Sequence, residues 1–422
     1  MPHKFSTFQK CALVLCLLVL FSANALDAQT SLTDRREIFE QVWATINEKY
    51  YDASFNGVDW SAVKKKYAAR LENAAGDTDF YALLDRMAGE LHDSHTRVYS
   101  PAQRDERRKQ KRADVGISLK EIKGVAVIFS VAPDSEAARA GIKAGMIVRS
   151  INNQPVKRAM AEARTAVGVS SSERATQMRV FSKILTGEPE TVLNLELAEA
   201  DGKTRKFMLT RRLVSAKPSV ARQILPSGAA YLKFSKFDEE IEQNIEDALR
   251  DLKDAPALIL DLRGNGGGDG EVGLRFAGHF FNDKITVARI VTRDGKPPIA
   301  EMPMTLEAGK KDVPVFSRPV VILVNEGTAS TSELITNAFQ EQKRAVVIGT
   351  NSCGCVLAFL DYKPLKGGGD LTLSEFGFIT AKGKKLEGAG VVPDKIVPLN
   401  LKDIRKGRDT ALEEAERYLK KF

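Results

Sequence analysis

Ser330 lies in Gly327-Thr328-Ala329-Ser330-Thr331-Ser332-Glu333, directly after the apolar run Val320–Val324 and directly before a helix-prone stretch, 331–342. A serine at such a strand-to-helix turn, among small side chains, is open to a substrate and sits near the positive end of a helix dipole. The same residues suit a plainer role, because a Ser followed three positions on by Glu also caps helices. Taken alone, the turn leaves both roles open. A serine nucleophile needs a base, and beyond the first 28 residues only His92, His95 and His279 could be a histidine base. His279 falls in an apolar helical run, 272–281, and reads as a packing residue. His92 and His95 are spaced i and i+3, but Asp93 alone beside them does not make a metal cluster.

A second chemical element is Asp261-Leu262-Arg263-Gly264-Asn265-Gly266-Gly267-Gly268, which follows the apolar run 257–261. Glycines there free backbone N–H groups to face a ligand or an oxyanion. An ordinary turn is the alternative. A dinucleotide fingerprint counted from Gly264 would need glycine where Asp269 stands, and no Gly-Lys-Ser/Thr follows to make a P-loop. Cys353 and Cys355 cannot close a zinc site by themselves, with no histidine near them in sequence. No metal and no cofactor is expected.

These groups need elements to hold them. Residues 31–100 read as helical: Ile38, Val42 and Ile46 recur at spacing four, and two further periodic stretches run over 60–71 and 80–91. From Val115 the period becomes strand-like, with Val115–Leu119 and 125–129, then the run 141–148 followed by Ile151–Gln154, before the closing strands 192–197 and 206–209. The polar, helix-prone stretch 160–188 interrupts them as an insertion. Residues 213–400 alternate strands (230–234, 257–261, 320–324, 345–348) with helices (238–253, 331–342), the pattern of an α/β core.

Taken together these segments resemble the C-terminal-processing serine peptidases and the related tricorn core peptidases. The likeness spans nearly the whole chain past residue 28, and its most specific pieces are DLRGNGGG, VNEGTASTSE, RAVVIGT and EGAGVVPD. The run Ala140-Gly141-Ile142-x-x-Gly145-Met146-x-Val148-x-x-Ile151-Asn152 resembles the PDZ fold. The implied fold is α/β and multidomain: residues 29–111 an N-terminal helical domain, 112–212 a PDZ-like β-rich domain, and 213–422 a crotonase-like α/β peptidase core. A PDZ domain adds an extended peptide as a strand and holds its terminal carboxylate on backbone N–H groups, here around Val115, Gly116 and Ile117. A β-rich domain that binds no peptide is the alternative.

The resemblance also assigns a site. Ser330 is the implied nucleophile, and the N–H groups of Gly267 or Gly268 and of Thr331 are the implied oxyanion donors. The processing peptidases pair their serine with a lysine in a Gly-Lys-Gly motif, but here that position is Cys355 in Ser352-Cys353-Gly354-Cys355-Val356. A thiol cannot copy a neutral amine, so that dyad is absent. The tricorn-like branch uses a Ser-His pair and a late glutamate instead, matching Ser94, His95 and Glu387. In that arrangement His95 takes the Ser330 proton, Ser94 orients the imidazole, and Glu387 orients Ser94. The expected function is an exported serine endopeptidase acting on polypeptides, in part through their C-termini. A catalytically inactive peptide- or ligand-binding relative of the same fold is the rival.

The totals fit this picture. At 422 residues the chain is too long for one ordinary core. With 43% hydrophobic and 28% charged residues it has a globular composition. Lys4 and Lys10 precede an apolar run, 11–21, and Ala23-Asn24-Ala25 completes a secretory signal over residues 1–28, bound for the periplasm or outside. An uncleaved N-terminal anchor is the alternative, although the run is short for a permanent span. No integral membrane segment is expected in the mature protein. The basic run 104–112 reads as a solvated linker or helix face. It holds no interleaved aromatics, so a nucleic-acid partner is not expected.

Overall fold

The computed structural model describes residues 30–309 and 315–422. The secretory-signal reading of residues 1–28 therefore lies outside the described residues. The described residues begin with α1 (Leu32–Lys49), α2 (Trp60–Ala68) and α3 (Asp77–Gly89), the first two capped by the side chains of Ser31 and Asp59. Their apolar faces meet, burying Ile38, Val42, Ile46, Phe80, Leu84 and Met87 together with Leu357, Leu365, Leu371 and Leu373 from the far end of the chain. The helical segment is thus packed onto the C-terminal half, not tethered to it. Strand β1 (Arg97–Tyr99) continues that joint by pairing antiparallel with Asp370–Thr372.

Helix α4 (Pro101–Arg108) follows, opened by a Ser100–Gln103 capping box. It takes up most of the basic run expected to be a linker or helix face. The linker alternative is corrected, and the face is only partly solvated. Arg107 pairs with Asp370, and Arg104 donates to the Gly368 carbonyl at 2.9 Å, so half-buried guanidinium groups anchor the helix.

Strand β2 (Lys111–Asp114) pairs with β8 (Arg212–Ser215), so the chain enters and leaves the intervening segment side by side. Between them an antiparallel sheet runs in the order β3 (Ile117–Ile122), β4 (Val125–Val131), β5 (Ile147–Ile151), β6 (Val192–Ala198), β7 (Thr204–Thr210). The insertion forms two helices, α5 (Val156–Val167) and α6 (Glu173–Leu185), packed on each other through Ala163, Val167 and Val180. Phe181 of α6 joins the core of this sheet.

The remaining elements are β9 (Val220–Ile224), β10 (Ala230–Phe234), α7 (Glu239–Leu252), β11 (Leu258–Asp261), α8 (Gly270–Ala277), β12 (Ile285–Thr292), β13 (Thr305–Ala308), β14 (Val320–Val324), α9 (Thr331–Glu341), β15 (Ala345–Gly349), β16 (Asp370–Thr372), β17 (Phe376–Thr380), β18 (Lys395–Ile396), α10 (Leu401–Arg405) and α11 (Thr410–Leu419). The main sheet has the order β9-β10-β11-β14-β15-β18, parallel from β10 onward. Every residue of β11 and β14 is buried, as expected when helices cover both faces of a parallel sheet. Leu258, Leu260 and Ile322 face α7, α8 and α9, while Ile259, Val321 and Leu323 face α11. In open α/β sheets, sites form where such parallel strands end and their loops meet. The Ser330 turn and the glycine-rich loop both leave the sheet at that edge.

Candidate active site

The turn from β14 into α9 is tied to the glycine-rich loop after β11 by side chains that replace missing backbone pairing. Asn325 Oδ1 accepts from the N–H of Gly327 at 2.9 Å and of Gly264 at 3.0 Å. Thr328 Oγ1 donates to the Leu262 carbonyl at 2.8 Å, and the Ala329 N–H donates to the Asn265 carbonyl at 3.0 Å. Ser330 then adopts φ 55°, ψ −126°, a left-handed conformation that a non-glycine residue holds at about 1–3 kcal/mol. Its N–H donates to the Cys355 carbonyl at 2.8 Å and to Glu333 Oε2 at 3.1 Å.

Glu333 is the anchor of this turn. Buried at the start of α9, its carboxylate also accepts from Ser352 Oγ at 2.6 Å, Gly354 N–H at 2.7 Å and Cys355 N–H at 2.8 Å. Burial pushes its pKa up, and these hydrogen bonds oppose the rise. The plainer reading of Ser330 as a helix cap stands beside the chemical one: Ser330 is the N-cap residue of α9, Glu333 Oε2 accepts from its N–H at 3.1 Å, and the Glu333 N–H donates to its carbonyl at 2.8 Å. The Ser330 side chain is partly exposed.

The glycine-rich loop closes against the serine. A Cβ on Gly267 (φ 90°) would lie 2.6 Å from Ser330 Cβ and 2.9 Å from Thr331 N, so only glycine fits. Its own N–H, however, donates to Asn265 Oδ1 at 3.0 Å, which removes Gly267 from the expected donor set. Thr331 Oγ1 fastens the loop by donating to the Gly268 carbonyl at 2.8 Å. Among the described residues the N–H groups of Gly268 and Thr331 have no acceptor.

The histidine loop lies between α3 and β1. Buried Asp93 accepts from the His95 N–H at 2.8 Å, and Thr372 Oγ1 donates to the His95 carbonyl at 2.6 Å. Ser94 Oγ stands 3.0 Å from His95 Nδ1. Burial lowers the imidazole pKa, with Asp93 acting the other way. No hydrogen bond joins His95 to Ser330 among the described residues.

Glu387 differs from expectation. Its Oε2 accepts from the N–H groups of Val356 at 2.7 Å and Leu357 at 3.1 Å, so that oxygen is committed to backbone rather than to Ser94. Burial, and then the nearby Asp93, push its pKa up to about 7, while the Ser171 side chain favours the ionised form. The Ser94 N–H in turn donates to Ser171 Oγ at 2.9 Å.

Cys353 and Cys355 are joined by a disulfide, so the side chain at the expected lysine position is occupied. His279 is buried beyond α8, with Nε2 2.7 Å from Glu246 Oε1, as a packing residue would be. Near β3, a cavity of about 890 Å³ opens between that strand and α6. Ile117 lines it, but the Gly116 N–H donates to Asp114 Oδ1 at 2.7 Å and is not free to hold a carboxylate. Lys120 of β3 and Glu326, beside the serine turn, both line the cavity and pair with each other.

Four residues of the site escaped the sequence. Glu333 looked like an ordinary capping residue, Asp93 like a lone acid, Asn265 like a turn residue, and Ser171 carried no signal in a run of serines.

Residues 228–397 match peptidase family S41, and residues 32–89 match the tricorn protease C1 domain. The chain carries a peptidase family S41 domain over residues 228–397. It is a serine-type peptidase, a hydrolase. Carboxyl-terminal-processing peptidase 2 (chloroplastic) of Arabidopsis thaliana is 27% identical over 87% of this chain and 70% of its own length. The photosystem II D1 C-terminal processing protease superposes with a TM-score of 0.57 at 23% identity, covering 89% of this chain and 98% of that one. Mature CPAF superposes with a TM-score of 0.69 at 12% identity over 92% and 97%. At these identities the two structures speak for the fold. No helix among the described residues is long and apolar enough to cross a membrane.

Proposed function

We propose that the protein is an exported endopeptidase in which Ser330 is the nucleophile and His95 its general base. The observation that carries this reading is the left-handed Ser330 at the head of a buried helix, with Gly267 pressed against it. A strained serine elbow of this kind presents its hydroxyl outward from a strand-to-helix turn. Neutral His95 takes the Ser330 proton as Oγ attacks the scissile carbonyl, and the N–H groups of Gly268 and Thr331 receive the oxyanion. The imidazolium then returns the proton to the leaving amine, leaving an acyl-enzyme that water hydrolyses. Ser94 holds Nδ1 throughout.

In this reading residues 29–111, 112–212 and 213–422 are the helical, PDZ-like and crotonase-like peptidase domains, and the β3–α6 cavity receives the substrate's C-terminal segment. The first 28 residues are removed on export, so a mature N-terminus between Leu26 and Gln29 by mass spectrometry supports export and a start at Met1 contradicts it.

The direct test is labelling by a fluorophosphonate. Wild-type protein should label and Ser330→Ala should not. An unlabelled wild type would instead make this chain the non-cutting relative.

A further inference from the structure

Ser171 has no part in the proton transfers above, yet it touches the machinery at its weakest point. Ser94 orients His95 through Oγ, but Ser94 sits in a loop, and something must fix Ser94 itself. Glu387 was expected to do so, and its Oε2 is committed to Val356 and Leu357. Ser171 Oγ fills that place by accepting from the Ser94 N–H at 2.9 Å. Its single hydroxyl proton is left for another acceptor, and Glu387 Oε1 is buried without a hydrogen-bond partner.

The segment that carries Ser171 is fastened firmly enough for this task. Ser172 caps α6 and donates to the Cys353 carbonyl. Arg174 donates to the Ser352 carbonyl at 2.6 Å and the Ala389 carbonyl at 2.7 Å. The Ser170 N–H is held by Thr176 Oγ1 at 2.9 Å. A Cβ on Gly388 would lie 3.3 Å from the Ser171 carbonyl, so the segment lies directly on the Glu387 turn.

We infer that Ser171 is a positioning residue for the catalytic base, linking Glu387 to the Ser94-His95 loop through one hydroxyl. The inference rests on the reading of His95 as base. Its location adds a consequence: α6, which begins two residues on, lines the 890 Å³ cavity with Arg174, Gln177, Met178 and Phe181. The wall of the substrate groove and the support of the base are one continuous segment.

Full-length Ser171→Ala, Ser171→Thr and His95→Ala test it, each checked for wild-type melting. The probe is a short internally quenched peptide with an amidated C-terminus, used alongside fluorophosphonate labelling. Ser171→Ala should lower kcat and the labelling rate by roughly 10–100-fold with KM unchanged, as misplacement of a catalytic group does. Ser171→Thr, which keeps the hydroxyl, should recover most of the loss. If His95→Ala is inactive while Ser171→Ala keeps kcat within about twofold of wild type, this inference fails and His95 as base survives. A loss confined to KM, or no rescue by threonine in a folded variant, also overturns it. A fully active His95→Ala would remove the base assignment and this inference together.

Discussion

The Ser330 N–H donates to the Cys355 carbonyl at 2.8 Å, so the turn of the proposed nucleophile is bound to the residue at the position where the resemblance to the processing peptidases would place a lysine. What Cys355 contributes is backbone: a carbonyl to Ser330 and an N–H to Glu333. Its sulfur, bonded to Cys353, faces no step of the proposed reaction. Cys355→Ser should therefore keep most peptidase activity. A loss of a hundredfold or more, ~3 kcal/mol in the barrier, would put the sulfur in the mechanism.

Glu333 ties the same turn to the 352–355 loop through four donors. Glu333→Ala strands those donors in a buried site, so urea denaturation should show a loss of about 3 kcal/mol or more. Glu333→Gln retains one accepting oxygen and should lose less. An alanine variant as stable as wild type would contradict this role.

Ionisation of Glu387 should separate stability from activity. Its folded pKa is raised to about 7 from an ordinary 4.5, so the folded state prefers the protonated acid. The stability this group contributes is full below ~4.5 and is lost as pH rises through ~7. Glu387→Gln cannot ionise, so it should melt higher than wild type at pH 8, by on the order of 1–3 kcal/mol, with little difference at pH 4.5. Equal differences at both pH values would refute the shift. Activity should move the opposite way. Through the proposed Ser171–Ser94 link, ionised Glu387 is expected to favour the imidazolium, so wild-type kcat/KM should climb near pH 7 and the glutamine variant should lack that limb. The limb from His95 itself, whose pKa is lowered, should fall below ~6.5 and remain in both.

Much of this was legible in the sequence because local pattern and fold agree there. Strand 230–234 and the apolar run 320–324 have the bounds their composition implies, and the Ser330 turn and glycine-rich loop do meet. The rest depended on contacts across the fold. Nothing in the serine run 170–172 announces that α6 would lie on the 387–390 turn, and the basic run became a helix because Asp370, more than 250 positions away, receives Arg107. A sequence also cannot show which N–H is already taken. Gly267 and Gly116 both lost their expected donor roles to a side chain two residues earlier.

Substrate recruitment by the C-terminus has its own test in the inactive, full-length Ser330→Ala chain. A cleaved peptide should bind more weakly once its C-terminus is amidated, because backbone N–H groups near Ile117 lose a charged acceptor. Equal affinity of acid and amide would exclude carboxylate capture while leaving proteolysis intact.

The assignment of His95 as the base for Ser330 is tested most directly by kcat for His95→Ala, Ser330→Ala and the double variant. Residues acting as one unit fail together, so each single variant should lose several orders of magnitude and the double variant little more. If folded His95→Ala keeps more than about a tenth of wild-type kcat, a factor worth only ~1.4 kcal/mol, His95 is not the base.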